Sequence, residues 1–467
     1  MNSLLKCFYL ISIIFIAGDV ITIILFKDKF KSSLPLRFSI AYGLGTGTWG
    51  LLIFSFSYLG GSINFRNLFI LSLAFMPLFI FYSIKNFKTS TLKLLRYNFS
   101  KGILYYFFLL LIIISLSIIT FRALYLPMHL TDDRTQWGIK AKILYHEGTI
   151  YAHDFFDPTR VMYHASYPFL VPLIESLFYG ALGEIDDCLV KIPFPLFFIA
   201  LLLFFYASQR RFSTNGHALM FTAMLAVLPI FIRDTNGNPS SGFADVPLTL
   251  YYTISFTSLF FWMRERKIED LLMATICITF SIFTKKEGII LWVIVTLAIL
   301  FTLFLFDWKE MRNKVLFGGI FVVLPLILLI PWFHFSSTFT LGPWERDFDP
   351  SYLTYNHIHS HLYRIPLIVK SFLRMSLDFK SFNIIWIIFF VTIALSFKDT
   401  FYFPQAFLLI LLIFNLCALF VAILIYPWPW WSNFLYDMPR LLMVNIPLVM
   451  YTISYQFHKS KFLKLSF

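Results

Sequence analysis

Two adjacent carboxylates, Asp132 and Asp133, open a polar stretch in a chain that is otherwise mostly apolar. A carboxylate at a membrane surface can take a proton from an acceptor hydroxyl or amine, or bind a cation. The plainer reading is a cap, with Asp132 closing the start of a helix near Arg134. A second acidic position, Asp245 in RDTNGNPSSGFADVPLTLYY, lies a few residues into an apolar run. A charge there costs about 2.5–3.5 kcal/mol on insertion scales, so such residues usually face a water-filled cavity. The alternative is an interaction with the positive end of its own helix.

Four further groups could serve a phosphate or a metal. The segment TKKEG offers Lys285 and Lys286 as cations and Glu287 as their partner, or is simply a loop between two spans. His164 stands beside Tyr167 and Pro168 at the mouth of a helix and could donate to a phosphate, although a lone histidine is more often a satisfied interface residue. His357, His359 and His361 would share one face of an extended strand and could then bind a metal; on a helix only the first and last would. In YPWPWWSNFLYDMPR the tryptophans suit an aromatic belt, while Arg440 suits an anionic headgroup or a pyrophosphate-like leaving group.

These residues need elements to hold them, and the composition says what kind. Of 467 residues, 59% are hydrophobic and only 13% charged, against roughly 25% charged in a soluble protein. Apolar runs of about 20 residues recur throughout, each long enough to cross a ~30 Å hydrocarbon core as a helix. A membrane β-barrel would show alternating segments of about 10 residues instead. The reading is an all-α polytopic bundle of about 12–14 spans. The net charge of +13 reflects basic residues in short connectors and is a topology signal, not a nucleic-acid surface. Cys7, Cys188, Cys277 and Cys417 lie in or beside apolar runs without CxxC spacing and read as packed thiols.

Spans are expected near 7–26, 37–58, 66–84 and 102–124. The N-terminal run reads as a retained span, since it continues to Phe26 and ends in Lys27, Lys29 and Lys31. With the basic connectors 27–31, 85–101, 264–267, 309–314 and 458–464 on the inner side, the stretches 125–166, 233–241, 334–378 and 427–440 fall outside. Parity then fails between the loop ending near 166 and Arg210–Arg211, so one of the segments 167–184 and 188–207 should be short or broken. From 139 to 145 the pattern IKAKILY predicts an interfacial amphipathic helix, with Trp137, Lys140 and Lys142 in the headgroup layer. The chain divides into accessory helices (1–101), a core (102–306, with the outer loop 125–166) and C-terminal helices (307–467, with the outer loop 334–380).

The stretch DDRTQWGIKAKIL resembles the start of the first outer loop in the C-type membrane glycosyltransferases, such as protein O-mannosyltransferases and lipid A aminoarabinose transferases. There an acidic pair, usually Asp-Glu, precedes an amphipathic helix with aromatic and basic positions. HASYPFLVPL resembles the start of that family's next helix, FADVPLTL its second acidic site and TKKEG its Lys-Gly segment. The likeness covers about 124–303 and is most specific at the two acidic sites.

The resemblance implies a GT-C-like core and an inverting transfer of a sugar from a polyprenyl-phosphate donor to an acceptor glycan, lipid or protein. Aligned on Asp133, Trp137 and Lys142 take the family's aromatic and basic positions; aligned on Asp132, the acidic doublet itself is reproduced. Either aspartate would be the general base, with Asp133 preferred. Lys140, Lys286 or Arg440 would stabilise the departing phosphate, with His164 donating to it and Lys285 a further cation beside it. Asp245 would orient the acceptor or a divalent cation (Mg or Mn), with no cofactor strictly required. Arg134, Trp137, Tyr167 and Glu287 would position the acceptor. The site would face outward from a bacterial plasma membrane. Two rivals are a lipid-linked polysaccharide polymerase or ligase, which His357–Arg364 would suit, and a lipid or solute flippase.

Overall fold

In hydrocarbon no backbone N–H or C=O can be left unpaired, so apolar runs of this length close their hydrogen bonds internally as helices. The computed structural model describes residues 3–26, 33–73, 77, 81, 102–157, 164–306, 315–339 and 350–459. Every regular element among them is helical. Most of the basic connectors used to set topology, 27–31, 85–101, 309–314 and 460–464, lie outside the described residues, as do 158–163 and 340–349 of the outer loops.

Six described helices are long and apolar enough to cross a membrane, or seven if the pair Val315–Leu328 and Ile330–Ser336, bent by 53°, is one span. Other apolar runs among the described residues fold as shorter helices, and the span expected near 66–84 lies partly outside those residues. The segment 167–184 is one of them. Its helix, Leu170–Leu182, has 13 residues, about 20 Å of rise, whereas the next segment forms a 21-residue span over Leu189–Gln209. Only the second is long enough to cross, which resolves the parity conflict. The 53° bend falls at Pro331, whose ring cannot donate to the helix ladder.

Labelled in chain order, the elements that matter here are α1 (Ser3–Phe26), α2 (Leu34–Tyr58), α3 (Ile103–Tyr125), α4 (Ile139–Glu147), α5 (Leu170–Leu182), α6 (Pro193–Gln209), α7 (Asp245–Glu265), α8 (Ile268–Thr284), α9 (Glu287–Phe306), α10 (Gln405–Ile425) and α11 (Met438–Met443). The apolar window of α7 is 100% buried, against 17% for α3. Helix α7 is therefore the central post, and α3 presents its side chains to lipid. Helices α1 and α2 cross backbone to backbone: a Cβ at Gly18 would land on the Ala41 carbonyl oxygen, and one at Gly45 on that of Ile14. Close approach through small residues is how helices associate where lipid removes the hydrophobic drive. Behind them α5 packs on α1, α2 and α4, holding the first outer loop against the bundle.

Candidate active site

Helix α3 ends at Tyr125, and the chain turns at the membrane surface into a π-helical turn, Asp133–Gly138, that runs directly into α4. A π-turn rotates successive side chains away from α-helical register. Here it sends the two aspartates to different places. Asp132 occupies the cap position but makes no side-chain cap bond, which overturns the cap reading. Its Oδ2 instead accepts from Arg440 Nη1 at 2.7 Å. Asp133 is 1% exposed, and no side chain bonds to either of its oxygens. Burial pushes its carboxyl up to about 6, against the nearby amide of Leu130 and the charge of Lys191, which favour the ionised form.

Arg440, on α11, is the hinge of the site. Its Nε donates to Asp245 Oδ1 at 3.2 Å while Nη1 holds Asp132, and its guanidinium lies 4.7 Å from the ring centre of Phe243. Asp245 is the first residue of α7, so its charge is also favoured by the positive end of that helix. Lys285, at the end of α8, reaches Asp245 Oδ1 at 3.2 Å and Glu287 at 2.8 Å. The result is an alternating chain of charges: Asp132, Arg440, Asp245, Lys285, Glu287. The Asn-Gly turn seals it. Gly237 has φ 84°, and a Cβ there would stand 3.2 Å from Arg440 Cγ and 3.3 Å from Asp245 Cγ. Only glycine fits that turn at that distance.

Two cavities meet at this chain. A polar one of about 230 Å³ is lined by Asp132, Thr135, Gln136, His164, Tyr167, Asn433 and Asp437, among others. An apolar groove of about 90 Å³ runs between α7, α9, α10 and α11, lined by residues such as Leu248, Ile294, Ala418, Leu419, Ala422 and Val444. Lys285, Glu287, Phe434, Arg440 and Leu441 line both. Cations therefore stand where a polar chamber joins a greasy channel.

Of the expected residues, Asp132, Asp245, Lys285, Glu287, Arg440, His164 and Tyr167 come together at these cavities. Others do not. Asp133 lines neither cavity. Lys140 is not in the headgroup layer: it is fully buried, donates to the His164 carbonyl at 2.6 Å and lies within 5.9 Å of the rings of Trp137, Tyr167 and Phe169. It holds His164, whose φ is 52°, in an unusual backbone conformation. Lys286 donates to Ser166 Oγ at 2.6 Å and stacks on Tyr167. Arg134 is exposed and Trp137 wholly buried. His357, His359 and His361 are helical, not extended; His357 bonds to the Ile425 carbonyl and His361 to that of His357.

Three further polar residues line these cavities. Asp437 lines the polar cavity, its carboxyl raised by burial. Asn415 and Asn445 line the apolar groove. Each was detectable as a polar residue in or at the edge of an apolar run, the same signal that marked Asp245.

A divalent cation does not fit the charge chain. Asp245 Oδ1 is already taken by two cations and Asp132 by one of them. Among the described residues no three His, Cys, Asp or Glu side chains converge. The positive charge here is supplied by Arg440 and Lys285.

No protein-family model and no curated protein matches the chain. Its fold is similar to that of ArnT from Cupriavidus metallidurans, both bound to undecaprenyl phosphate and in the apo state. Each superposition has a TM-score of 0.51 at 16% identity, covering 76% of this chain. The chain spans 60% of the length of those ArnT structures. The chain thus shares its fold with ArnT, in line with the likeness read from the DDRTQWGIKAKIL and FADVPLTL segments.

Proposed function

We propose that this protein is a membrane glycosyltransferase that moves a sugar from a polyprenyl phosphate to an acceptor at the non-cytoplasmic face, with inversion at the anomeric carbon. The observation that carries the reading is the meeting of the apolar groove and the polar cavity at Arg440 and Lys285. A prenyl phosphate has the same construction, a hydrocarbon chain ending in an anion. The structurally similar ArnT has been crystallised with undecaprenyl phosphate, which supports a ligand of this class.

In this reading the chain lies in the groove and its phosphate against Arg440 and Lys285. The sugar projects into the polar cavity toward Asp132. Asp132 takes the proton of the acceptor hydroxyl or amine. The freed electron pair attacks the anomeric carbon, the bond from that carbon to the phosphate oxygen breaks, and prenyl phosphate leaves with the extra charge. Arg440 and Lys285 stabilise that charge where it develops. Arg440 also couples binding to reactivity. It holds Asp132 at 2.7 Å, and a donor phosphate shares the guanidinium and loosens that hold. Asp245 keeps both cations in place. The base is thus Asp132, the aspartate that reaches the cavity, and not Asp133.

The test is transfer from a panel of polyprenyl-phosphate sugars by the protein in membranes, with acceptors taken from a bacterial envelope extract. Transfer that depends on the protein and is lost in Arg440→Gln is the expected result. Equal transfer by wild type and Arg440→Gln, or donor-independent transport of the lipid, would overturn it.

A further inference from the structure

Two side chains grip the last turn of α10. Arg364, 2% exposed, donates from Nη1 to the carbonyls of Leu424 at 3.2 Å and Tyr426 at 2.7 Å, and its guanidinium lies 4.8 Å from the ring centre of Trp431. His357 bonds to the carbonyl between them, that of Ile425, at 2.8 Å. These are the carbonyls a helix leaves unpaired at its negative end, where a cation is favoured. Helix α10 has 21 residues, about 31 Å of rise against a ~30 Å hydrocarbon core. Its last turn therefore stands at the edge of the hydrocarbon, and so does the segment bonded to it.

Arg364 leads directly into a helix, Ile365–Ser376, that packs on α10 and α11. Its side chains sort into three strips. Ile368 is fully buried, and the ring centre of Phe372 lies 6.5 Å from that of Phe420 on α10, so this strip faces the bundle. Val369 and Leu373, one turn apart, are 44% and 63% exposed, and Leu377 just past the helix end is 53% exposed. Lys370 and Arg374, also one turn apart, are exposed on the strip beside them. Neither cation has a carboxylate partner among the described residues. The nearest acid along the chain, Asp378, is engaged in the next turn, where it accepts from the Lys380 amide at 3.1 Å and Ser381 Oγ at 2.6 Å.

An exposed apolar strip beside an exposed basic strip suits neither water nor hydrocarbon alone. At the hydrocarbon edge it suits both layers, with Val369 and Leu373 among the acyl chains and the two cations level with the phosphates. The charge then selects among lipids, because an anionic headgroup brings the counter-charge that the protein does not supply. We propose that the helix Ile365–Ser376 lies in the headgroup layer, on the same side of the membrane as Arg440, and binds an anionic phospholipid through Lys370 and Arg374. This rests on the packing of the helix and not on the transferase reading.

The test places a reporter on the apolar strip: Leu373→Cys, labelled with a small fluorophore in the full-length chain carrying Cys188→Ser and Cys417→Ser, the two cysteines that are not buried. The protein is put in nanodiscs of phosphatidylcholine and phosphatidylglycerol, with a nitroxide quencher on the acyl chain of one lipid or the other at equal fraction. Both should quench, and phosphatidylglycerol about twofold or more above phosphatidylcholine. In Lys370→Gln/Arg374→Gln the two should become equal, with quenching by phosphatidylcholine unchanged, and high salt should shrink the preference in the parent. Val369→Cys repeats the reading at a second position, so that a disturbance by one label does not decide it. No quenching by either lipid would put the helix in water. Equal quenching with both cations present, or a preference that survives their removal, would take the anionic lipid away from this site. Loss of the preference on adding a little unlabelled polyprenyl phosphate would give the cations to that lipid instead. Each of these results overturns the proposal.

Discussion

Arg440 and Asp132 are joined at 2.7 Å although 308 residues separate them in the chain. The same guanidinium holds Asp245 at 3.2 Å, so one side chain ties the loop after α3, the start of α7 and helix α11 into one site. Substituting Arg440→Lys keeps the charge but not the fork that reaches two carboxylates at once. Transfer should fall about 10²-fold, with a rise in KM for the donor. Steady-state kinetics in nanodiscs would show it, and an unchanged kcat/KM would remove Arg440 from the centre of the site.

Asp245 is held between two cations, so its neutralisation leaves both exposed to one another. Breaking a buried pair this way costs about 3–5 kcal/mol, and Asp245→Asn should lower thermal stability in detergent as well as activity. Adding Lys285→Met removes one of the stranded charges and should recover part of the stability but not the activity. Equal stability of the single and double variants would contradict this electrostatic role.

The apolar groove should discriminate by chain length. Ala418 and Ala422 stand one turn apart on α10 and line it. Ala418→Trp should raise KM for a long-chain polyprenyl donor by tenfold or more and leave a short-chain analogue nearly unaffected. Equal effects on both would place the lipid elsewhere.

The raised carboxyl of Asp133 sets a pH signature. Its pKa goes from 3.8 to about 6 in the folded protein, so the native state binds a proton more tightly than the unfolded chain. Stability from this group is present at low pH and is lost as pH rises from 3.8 to about 6. The difference in melting temperature between wild type and Asp133→Asn should change across that window and flatten above it. A difference that is the same at pH 4 and pH 7 would be inconsistent with the burial of Asp133.

How much of this was legible in the sequence depended on whether a residue's signal was local. Asp132, Asp133 and Asp245 stood out because a charge at the edge of an apolar run needs a reason. The short helix between Leu170 and Leu182 was legible through the parity of the basic connectors. Glu175 carries the same signal as Asp245, an acid within the apolar run LVPLIESLFYG, but no long polar loop adjoins it. The pairing of Asp132 with Arg440 had no local trace, since it depends on how the C-terminal helices return to the core. Lys140 was misplaced for a related reason: its partner is a backbone carbonyl of His164, which no side-chain pattern reveals. Which of Asp132 and Asp133 lines the polar cavity depends on the register of the π-turn, which spacing alone does not resolve.

The most direct test is to compare sugar transfer by Asp132→Asn and Asp133→Asn, purified in parallel and matched for folding, with an identified polyprenyl-phosphate donor. Loss of the general base should cost about 10²–10⁴-fold. The expected result is that loss in Asp132→Asn, with Asp133→Asn within about threefold of wild type. Full activity in Asp132→Asn, or a selective loss in a well-folded Asp133→Asn, would contradict the assignment of the base to the aspartate that faces the cavity.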